Sequence, residues 1–438
     1  MHRIFETFPL DNFEDALPRF LYWAQERYNY IALLDNNGHV HDPYSSHEAI
    51  LAVGAFQQVS SPPHASAFDA LKDFSDAHQD WIMGFLSYDL KNQLEDLTSS
   101  HPDGIQMPLM HFFVPERIFF FREGKVEVGL LNHDEYKDDV SKLLEEIKGV
   151  KPIVTPGFVP PLTHRVSREE YLEKAARIKN FIQQGDIYET NYCIEFYTQG
   201  ASIDPAETYL SLKKRNPAPF SCFYRHKEKY LISSSPERFM AKREDKLISQ
   251  PIKGTIRRGC DAAEDELLKT QLQNDPKERS ENVMIVDLVR NDLSQSATRG
   301  SVKVEELFGI YSFPRVHQMI STVSSRLADD VHYIDAIRKA FPMGSMTGAP
   351  KIRAMEIIEE CEATRRGLYS GAVGYISPQK DFDFNVIIRS ILYNRADGFL
   401  NFMAGSAITI DAIAEKEYDE CLLKAGSMAQ TIGAKLEA

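Results

Sequence analysis

A lysine and a glutamate sixteen residues apart are the pair in this 438-residue chain best suited to covalent chemistry. Lys253 stands in Pro251-Ile252-Lys253-Gly254-Thr255, just after the strand-like run 246–250, and Glu237 stands in Ser234-Ser235-Pro236-Glu237-Arg238-Phe239. The segment between them reads as two short strands joined by the polar turn Lys242-Arg243-Glu244-Asp245. A hairpin of that length brings amine and carboxyl to opposite sides of one small molecule. Such a pair is a nucleophile with a general acid. A free lysine has a pKa of about 10.4 and attacks only where its surroundings release the neutral amine; burial raises a carboxylic acid and keeps its proton. A solvated surface lysine is the ordinary alternative at such a position.

Other residues supply binding chemistry. Glu278 and Glu281 precede the helical stretch 283–289, and Glu417 and Glu420 open another that continues through Lys424. Each pair is spaced i,i+3 and so lies on one helical face. Four carboxylates on two helices offer a seat for a hard divalent cation such as Mg²⁺, although solvated helix faces carry the same pattern. The small-residue loop 342–351 precedes a helix over 352–360, and its amides, with the Ser345 and Thr347 hydroxyls, suit an anion. It lacks the Gly-Lys-Ser/Thr ending of a nucleotide phosphate loop. Segments 369–375 and 384–389 read as adjacent strands, and Arg389 follows a β-branched run. A guanidinium there needs a carboxylate, from a ligand or from a structural ion pair. The backbone at Gly405 and Ser406 allows close approach, and His317 could orient a polar group. Together these residues describe a site for a small dianionic acid, with a cation at one carboxylate, an arginine at the other, and the lysine–glutamate pair across the reacting carbons.

The elements that must position these groups read as an α+β fold, with large sheets covered by helices. Strands are expected at 31–34, 81–88 and 117–121, and helices at 134–148 and, behind the capping box Ser167-Arg168-Glu169-Glu170, at 168–184. Four prolines in residues 152–161 exclude a helix or central strand and mark a linker over 151–164 between an N-terminal region, 1–150, and a larger region, 165–436, which suggests two lobes. No Gly-x-Gly-x-x-Gly follows a strand, which speaks against dinucleotide binding. A net charge of −14 argues against a nucleic-acid surface. No apolar run approaches the ~20 residues that span a bilayer, and the first residues lack a signal-peptide core. Five scattered cysteines without a Cys-x-x-Cys pair fit reduced thiols and a cytoplasmic location.

The joint pattern resembles the chorismate-utilising enzymes, the group that includes anthranilate synthase, aminodeoxychorismate synthase, and the isochorismate and salicylate synthases. The segments that carry the resemblance are Gly185-Asp186-Ile187-Tyr188, Ser235-Pro236-Glu237, Pro251 to Thr255, Ile285 to Asp292, Gly344 to Lys351, Arg366 to Tyr375 and Asp383-Phe384-Asn385. The resemblance implies an anthranilate synthase component I-like fold, its large sheets packed as a sandwich with helices outside. Position 253 separates the activities: alanine in the members similar to anthranilate and isochorismate synthases, lysine in those that aminate chorismate at C4. It implies that Lys253 attacks C2 of chorismate and that Glu237 protonates the departing 4-hydroxyl, after which ammonia adds at C4. Mg²⁺ would sit on Glu281 and Glu420, with Glu278 and Glu417 in support, and would bind the ring carboxylate. Arg389 and Tyr375, with the backbone of Gly405 and Ser406, would hold the pyruvyl carboxylate, and Thr255, His317, Thr347 and Lys424 would complete the substrate contacts. No Gly-x-Cys-x-Gly turn surrounds any cysteine, so ammonia is expected from a separate glutaminase subunit. Two departures stand out. Glu189 occupies a position where ammonia-using members often have glutamine and hydroxylating members have lysine. Leu33-Leu34-Asp35-Asn36-Asn37 replaces the Leu-Leu-Glu-Ser of tryptophan-regulated relatives, which makes tryptophan control doubtful. The nearest alternative activity is amination at C2 with loss of pyruvate.

Overall fold

The computed structural model describes residues 3–436 apart from 11, 40, 41, 46, 62–64 and 133–138. Among them, antiparallel strands form one sheet of twelve and another of ten. The sheets face each other across an apolar layer to which both contribute, with Ala32, Ile50, Tyr224 and Leu392 from one side and Met83, Phe85, Phe113 and Val373 from the other. Helices cover the two outer faces. Phe13–Arg27, Val140–Gly149, Arg168–Gln184, Pro205–Arg215 and Ala414–Thr431 bury their apolar stripes on the larger sheet, whereas Ala67–Ala77, Pro276–Ser294 and Tyr333–Ala340 do so on the smaller. The α+β sandwich expected from the sequence is therefore present.

Local signals place the elements well. Strands run Tyr30–Asp35, Ile82–Leu86 and Arg117–Arg122. The helix Arg168–Gln184 begins in the expected box, with Ser167 accepting from the Glu170 N–H and Glu170 from the Ser167 N–H, and it ends at Gly185 with φ +85°. The helix expected over 134–148 appears as Val140–Gly149, capped by Asp139; positions 134–138 lie outside the described residues.

The expectation of two lobes is corrected. Tyr30–Asp35 pairs with Phe220–His226, and Ile82–Leu86 pairs with Ala372–Ile376. Chain from both sides of the proline-rich stretch therefore shares both sheets and interleaves in a single body.

The hairpin that positions the reactive pair is built from Arg238–Arg243 and Lys246–Gln250, with Glu244 at the turn in a left-handed conformation, φ +55°. Both Lys246–Gln250 and the following strand Ile252–Arg257 pair with Val316–Arg326, so the chain continues along one partner strand past Pro251. Arg238 is opposite Gln250. Glu237 thus lies one step beyond the hairpin's last pair, next to the segment that carries Lys253.

Candidate active site

Glu237 is 5 % exposed, and its carboxyl is pushed up to about 7, chiefly by burial. The Ser345 hydroxyl, the Lys253 ammonium and the Ile252 N–H pull in the opposite direction without cancelling that shift. A cavity of about 20 Å³, room for one water, lies beside Glu237 and is bounded by Met343, Gly344, Ser345 and Asp292. Glu237 is therefore a carboxyl able to hold or release a proton near neutrality.

Lys253 behaves differently from a lysine with a depressed pKa. Burial works to lower its pKa, but Glu189, Glu281, Glu237 and Glu420 surround it and together raise it. Its Nζ stands 3.9 Å from Glu281 Oε2. Gly254 adopts φ +89°, and a Cβ there would come within 3.1 Å of both Glu278 and Leu272. A side chain at 254 would be strained by that φ and would crowd both neighbours, so glycine lets the strand pass close to the acidic helix.

The four predicted metal-binding glutamates come together. Glu278 and Glu281 lie on Pro276–Ser294, and Glu417 and Glu420 on Ala414–Thr431. Lys277 bridges the two helices, 3.7 Å from Glu281 and 3.5 Å from Glu417. Burial and Glu281 push Glu278 up to about 7, and burial with Glu420 raises Glu417. Burial also works to raise Glu420, yet Lys424, Lys277 and Lys253 hold it below the ordinary carboxylate value. Among the described residues no three acidic, histidine or cysteine side chains converge tightly enough to cage a metal by themselves. Confronted carboxylates that repel one another, without a closed cage, fit Mg²⁺, which takes one or two carboxylates and fills its shell with water and ligand oxygens.

Arg389 lies in a left-handed turn, φ +53°, between Phe382–Val386 and Ser390–Asn394, rather than on a strand. Burial lowers its pKa, with Tyr369 and Glu420 acting in the other direction. It forms no ion pair with any described residue, which leaves its guanidinium available to an anionic ligand. We expect Arg389→Leu to keep or raise the thermal midpoint, by the equivalent of about 1 kcal/mol, because a partly desolvated cation that forms no ion pair is removed. A drop of several degrees would instead make Arg389 a structural residue.

Gly405 and Ser406 lie on Phe399–Ile408. A Cβ at Gly405 would meet Cys193 Sγ and Asn191 Oδ1 at 2.5 Å, so the two strands approach closely only with glycine here. Lys424 donates to the Gly405 carbonyl at 2.7 Å and pairs with Glu420 at 2.6 Å, linking this strand to the acidic helix. The Ser406 hydroxyl is 2.9 Å from the Tyr171 hydroxyl.

Other predicted contacts are engaged within the fold. On the strand Ala372–Ile376 alternate residues face opposite sides: Ala372 and Ile376 join the helix-covered face, whereas Val373 and Tyr375 face the layer between the sheets, where Tyr375 stands 5.4 Å from the Trp81 ring. The aromatic side chain that interacts with Arg389 is Tyr369, which sequence reasoning passed over. It stands in the same segment, just before the strand Ala372–Ile376. Thr255 is exposed, opposite Gln318. Both His317 ring nitrogens are engaged, Nδ1 at 2.8 Å from Ser312 Oγ and Nε2 at 3.0 Å from Asp265. Thr347 is buried, its hydroxyl 3.3 and 3.2 Å from the Met343 and Gly344 carbonyls. The loop around it is a tight turn, Gly344–Met346, and a short strand, Gly348–Ala349, rather than an open anion cradle.

That loop is pinned by a pair no sequence feature pointed to. Arg366 makes two bonds to Glu362, of 2.9 and 2.6 Å, and donates to the carbonyls of Met346 and Asn191. Glu362 in turn accepts from the Cys193 N–H at 2.9 Å. The backbone that carries Ser345 alongside Glu237 is therefore held in place.

A largely buried amine among carboxylates, a carboxylic acid with a pKa of about 7 and an arginine without an ion pair among the described residues thus lie on this α+β sandwich. The chain belongs to the chorismate binding enzyme family, whose sequence profile matches residues 21–430. It is 38% identical to aminodeoxychorismate synthase component 1 of Klebsiella aerogenes over 338 residues, covering 77% of this chain and 74% of that protein. The protein of the same name in Bacillus subtilis is 34% identical over 369 residues, covering 81% and 77%. Among solved structures, anthranilate synthase component I of Streptococcus pneumoniae superposes with a TM-score of 0.76 at 27% identity, covering 89% of this chain and 94% of that one.

Proposed function

We propose that this chain converts chorismate and ammonia to 4-amino-4-deoxychorismate through a covalent adduct on Lys253. The observation that carries this reading is the placement of Lys253 beside Glu237, whose carboxyl is pushed up to about 7. Lysine at 253, where the members similar to anthranilate synthase have alanine, favours it over amination at C2.

In this reading the neutral Lys253 nitrogen forms a bond to C2 as the C4–oxygen bond breaks. Glu237 gives its proton to the departing oxygen, which leaves as water, and ammonia then adds at C4 as the lysine is expelled. One difficult substitution becomes two easier ones. Glu281 and Glu420, supported by Glu278 and Glu417, would hold Mg²⁺, which supplies positive charge for the substrate's ring carboxylate and offsets the charges that keep Lys253 protonated. Arg389 with Tyr369 is placed to receive the other carboxylate. Ammonia would come from a separate glutaminase subunit, in keeping with the component 1 designation of the relatives. A cytoplasmic setting accords with the five free cysteines, four of them buried. No described helix is long and apolar enough to cross a membrane.

Purified protein given chorismate, Mg²⁺ and ammonium should form 4-amino-4-deoxychorismate, and denaturing it mid-reaction should leave a chorismate-derived mass on the peptide that contains Lys253. Lys253→Ala should remove both, with a rate loss of at least ~100-fold. Anthranilate with free pyruvate as the product would assign the alternative activity instead.

A further inference from the structure

The segments Ile285 to Asp292 and Gly344 to Lys351 end in an aspartate and a lysine to which the mechanism gives no task. Asp292 lies near the end of the helix Pro276–Ser294 and is 5 % exposed. Lys351 opens the helix Lys351–Cys361, and its Nζ donates to Asp292 Oδ1 at 2.7 Å and to the Ala340 carbonyl at 3.0 Å. That pair uses one carboxylate oxygen and leaves Oδ2 to other partners. Asp292 forms part of two walls. Inside, it bounds the small cavity beside Glu237; outside, with Asp287, Arg290 and Lys351, it lines an open surface groove. Among the described residues it is the one that borders both. Ser345 Oγ, on the inner wall, is buried and finds no well-formed hydrogen bond, although it is close enough to Glu237 to act on its charge. A space of about 20 Å³ walled by a hydroxyl and two carboxyls meets both needs of a buried water, volume and polar partners. Burial pushes the Asp292 carboxyl up to about 6, against the pull of Lys351, so it can carry a proton close to neutrality.

We propose that Asp292 returns a proton to Glu237 after each turnover, through one water in the cavity between them. This rests on the reading of Glu237 as the acid above. When the C4–oxygen bond breaks, Glu237 has given up its proton and is left a buried carboxylate, with Lys253 and the reacting carbons on its substrate side. The cavity water gives Glu237 a proton and takes one from the Asp292 carboxylic acid. The Asp292 carboxylate then takes a proton from solvent in the groove, while Lys351 holds its side chain in place. Solvent thus lends one proton per turnover and the nitrogen returns one, since an alcohol and ammonia give an amine and water with no net proton. Asp292 acts through Glu237 and positions the proton. The charged groups that face the path are Lys351, from Lys351–Cys361, at the Asp292 end and Lys253, from Ile252–Arg257, at the Glu237 end.

The test counts turnovers by rapid quenching with chorismate, Mg²⁺ and ammonium, at slightly acid pH, where Glu237 starts out protonated. Asp292→Asn should consume the first chorismate per active site at close to the parent's rate and later ones at least ~10-fold more slowly. Those later turnovers alone should slow further in D2O. Val289→Ile adds a methylene where Val289 bounds the cavity, and should give the same burst without changing any charge. Its thermal midpoint should stay at or above the parent's, and its crystal structure should lack a water that the parent's shows on Ser345 Oγ. A first turnover slowed as much as the later ones would make Asp292 a purely structural residue and overturn the proposal. Steady turnover at the parent's rate in either variant, or a parent cavity without water, would overturn it too. If Asp292→Asn fails to fold, Val289→Ile decides alone. Because the count follows chorismate and not the product, the two readings fail separately. Anthranilate as the product removes amination at C4 and leaves the burst test standing, whereas 4-amino-4-deoxychorismate formed without a burst in the variants removes only the proton path.

Discussion

Glu237→Gln should lose roughly 10²–10⁴-fold in amination, the usual loss with a positioned general acid, while becoming more stable than the parent above neutral pH. Both effects have one cause. Burial raises the Glu237 carboxyl from an ordinary 4.5 to about 7. Below that window both the folded and the unfolded chain carry the proton. Within it the folded chain retains a proton that the unfolded chain has released, so stability falls as pH rises, by about 3 kcal/mol in all. Glutamine has no proton to lose and escapes that fall. Urea unfolding of parent and variant at a series of pH values measures it, and the difference between them isolates Glu237 from Glu278 and Asp292, which burial also raises, to about 7 and about 6. A variant that follows the parent's slope through the window, or keeps its activity, removes Glu237 from the acid role.

The second large effect is structural. Glu362→Ala should destabilise the protein by about 3–5 kcal/mol, because Arg366 would remain buried with its charge uncompensated. The loss should exceed that of an ordinary truncation, since the same carboxylate also caps the Cys193 N–H. Replacing both partners, as Arg366→Met with Glu362→Leu, should recover much of the stability without recovering activity. The Met346 carbonyl would then have lost its donor, and the loop bearing Ser345 its tie to the strand Glu189–Thr198. Chemical denaturation and the product assay together separate the two readouts. A single variant within about 1 kcal/mol of the parent would show that the pair does not anchor the loop.

What could be read from the sequence follows the range of the interactions involved. Capping boxes, alternation and turns are local, and so the helix Arg168–Gln184 and the hairpin holding Glu237 and Lys253 were legible. The i,i+3 spacing put Glu278 with Glu281 and Glu417 with Glu420 on their helical faces, and the structure brings the two helices together through Lys277. Long-range facts were not legible. Nothing in residues 369–376 announces which face of their strand meets the gap between the sheets, so the nearness of Tyr369 to Arg389 was not legible there. The Arg366–Glu362 pair reads in sequence as an ordinary helix-end i,i+4 pair; its burial depends on Tyr88 and Cys193, far away in the chain. Nor could spacing foretell that four carboxylates would surround Lys253.

The interleaving of early and late segments has a consequence for biosynthesis. Tyr30–Asp35 waits for Phe220–His226, Lys229–Ser235 waits for Ser390–Asn394, and Glu189–Thr198 waits for Phe399–Ile408. At roughly 5–20 residues per second, a ribosome needs tens of seconds between the first of these strands and the last. Throughout that time, apolar strands with open edges are held in the nascent chain, the condition under which chains associate with one another or recruit chaperones. The edges of Tyr30–Asp35 and Ile82–Leu86 close only after residues 220–226 and 372–376 have been made.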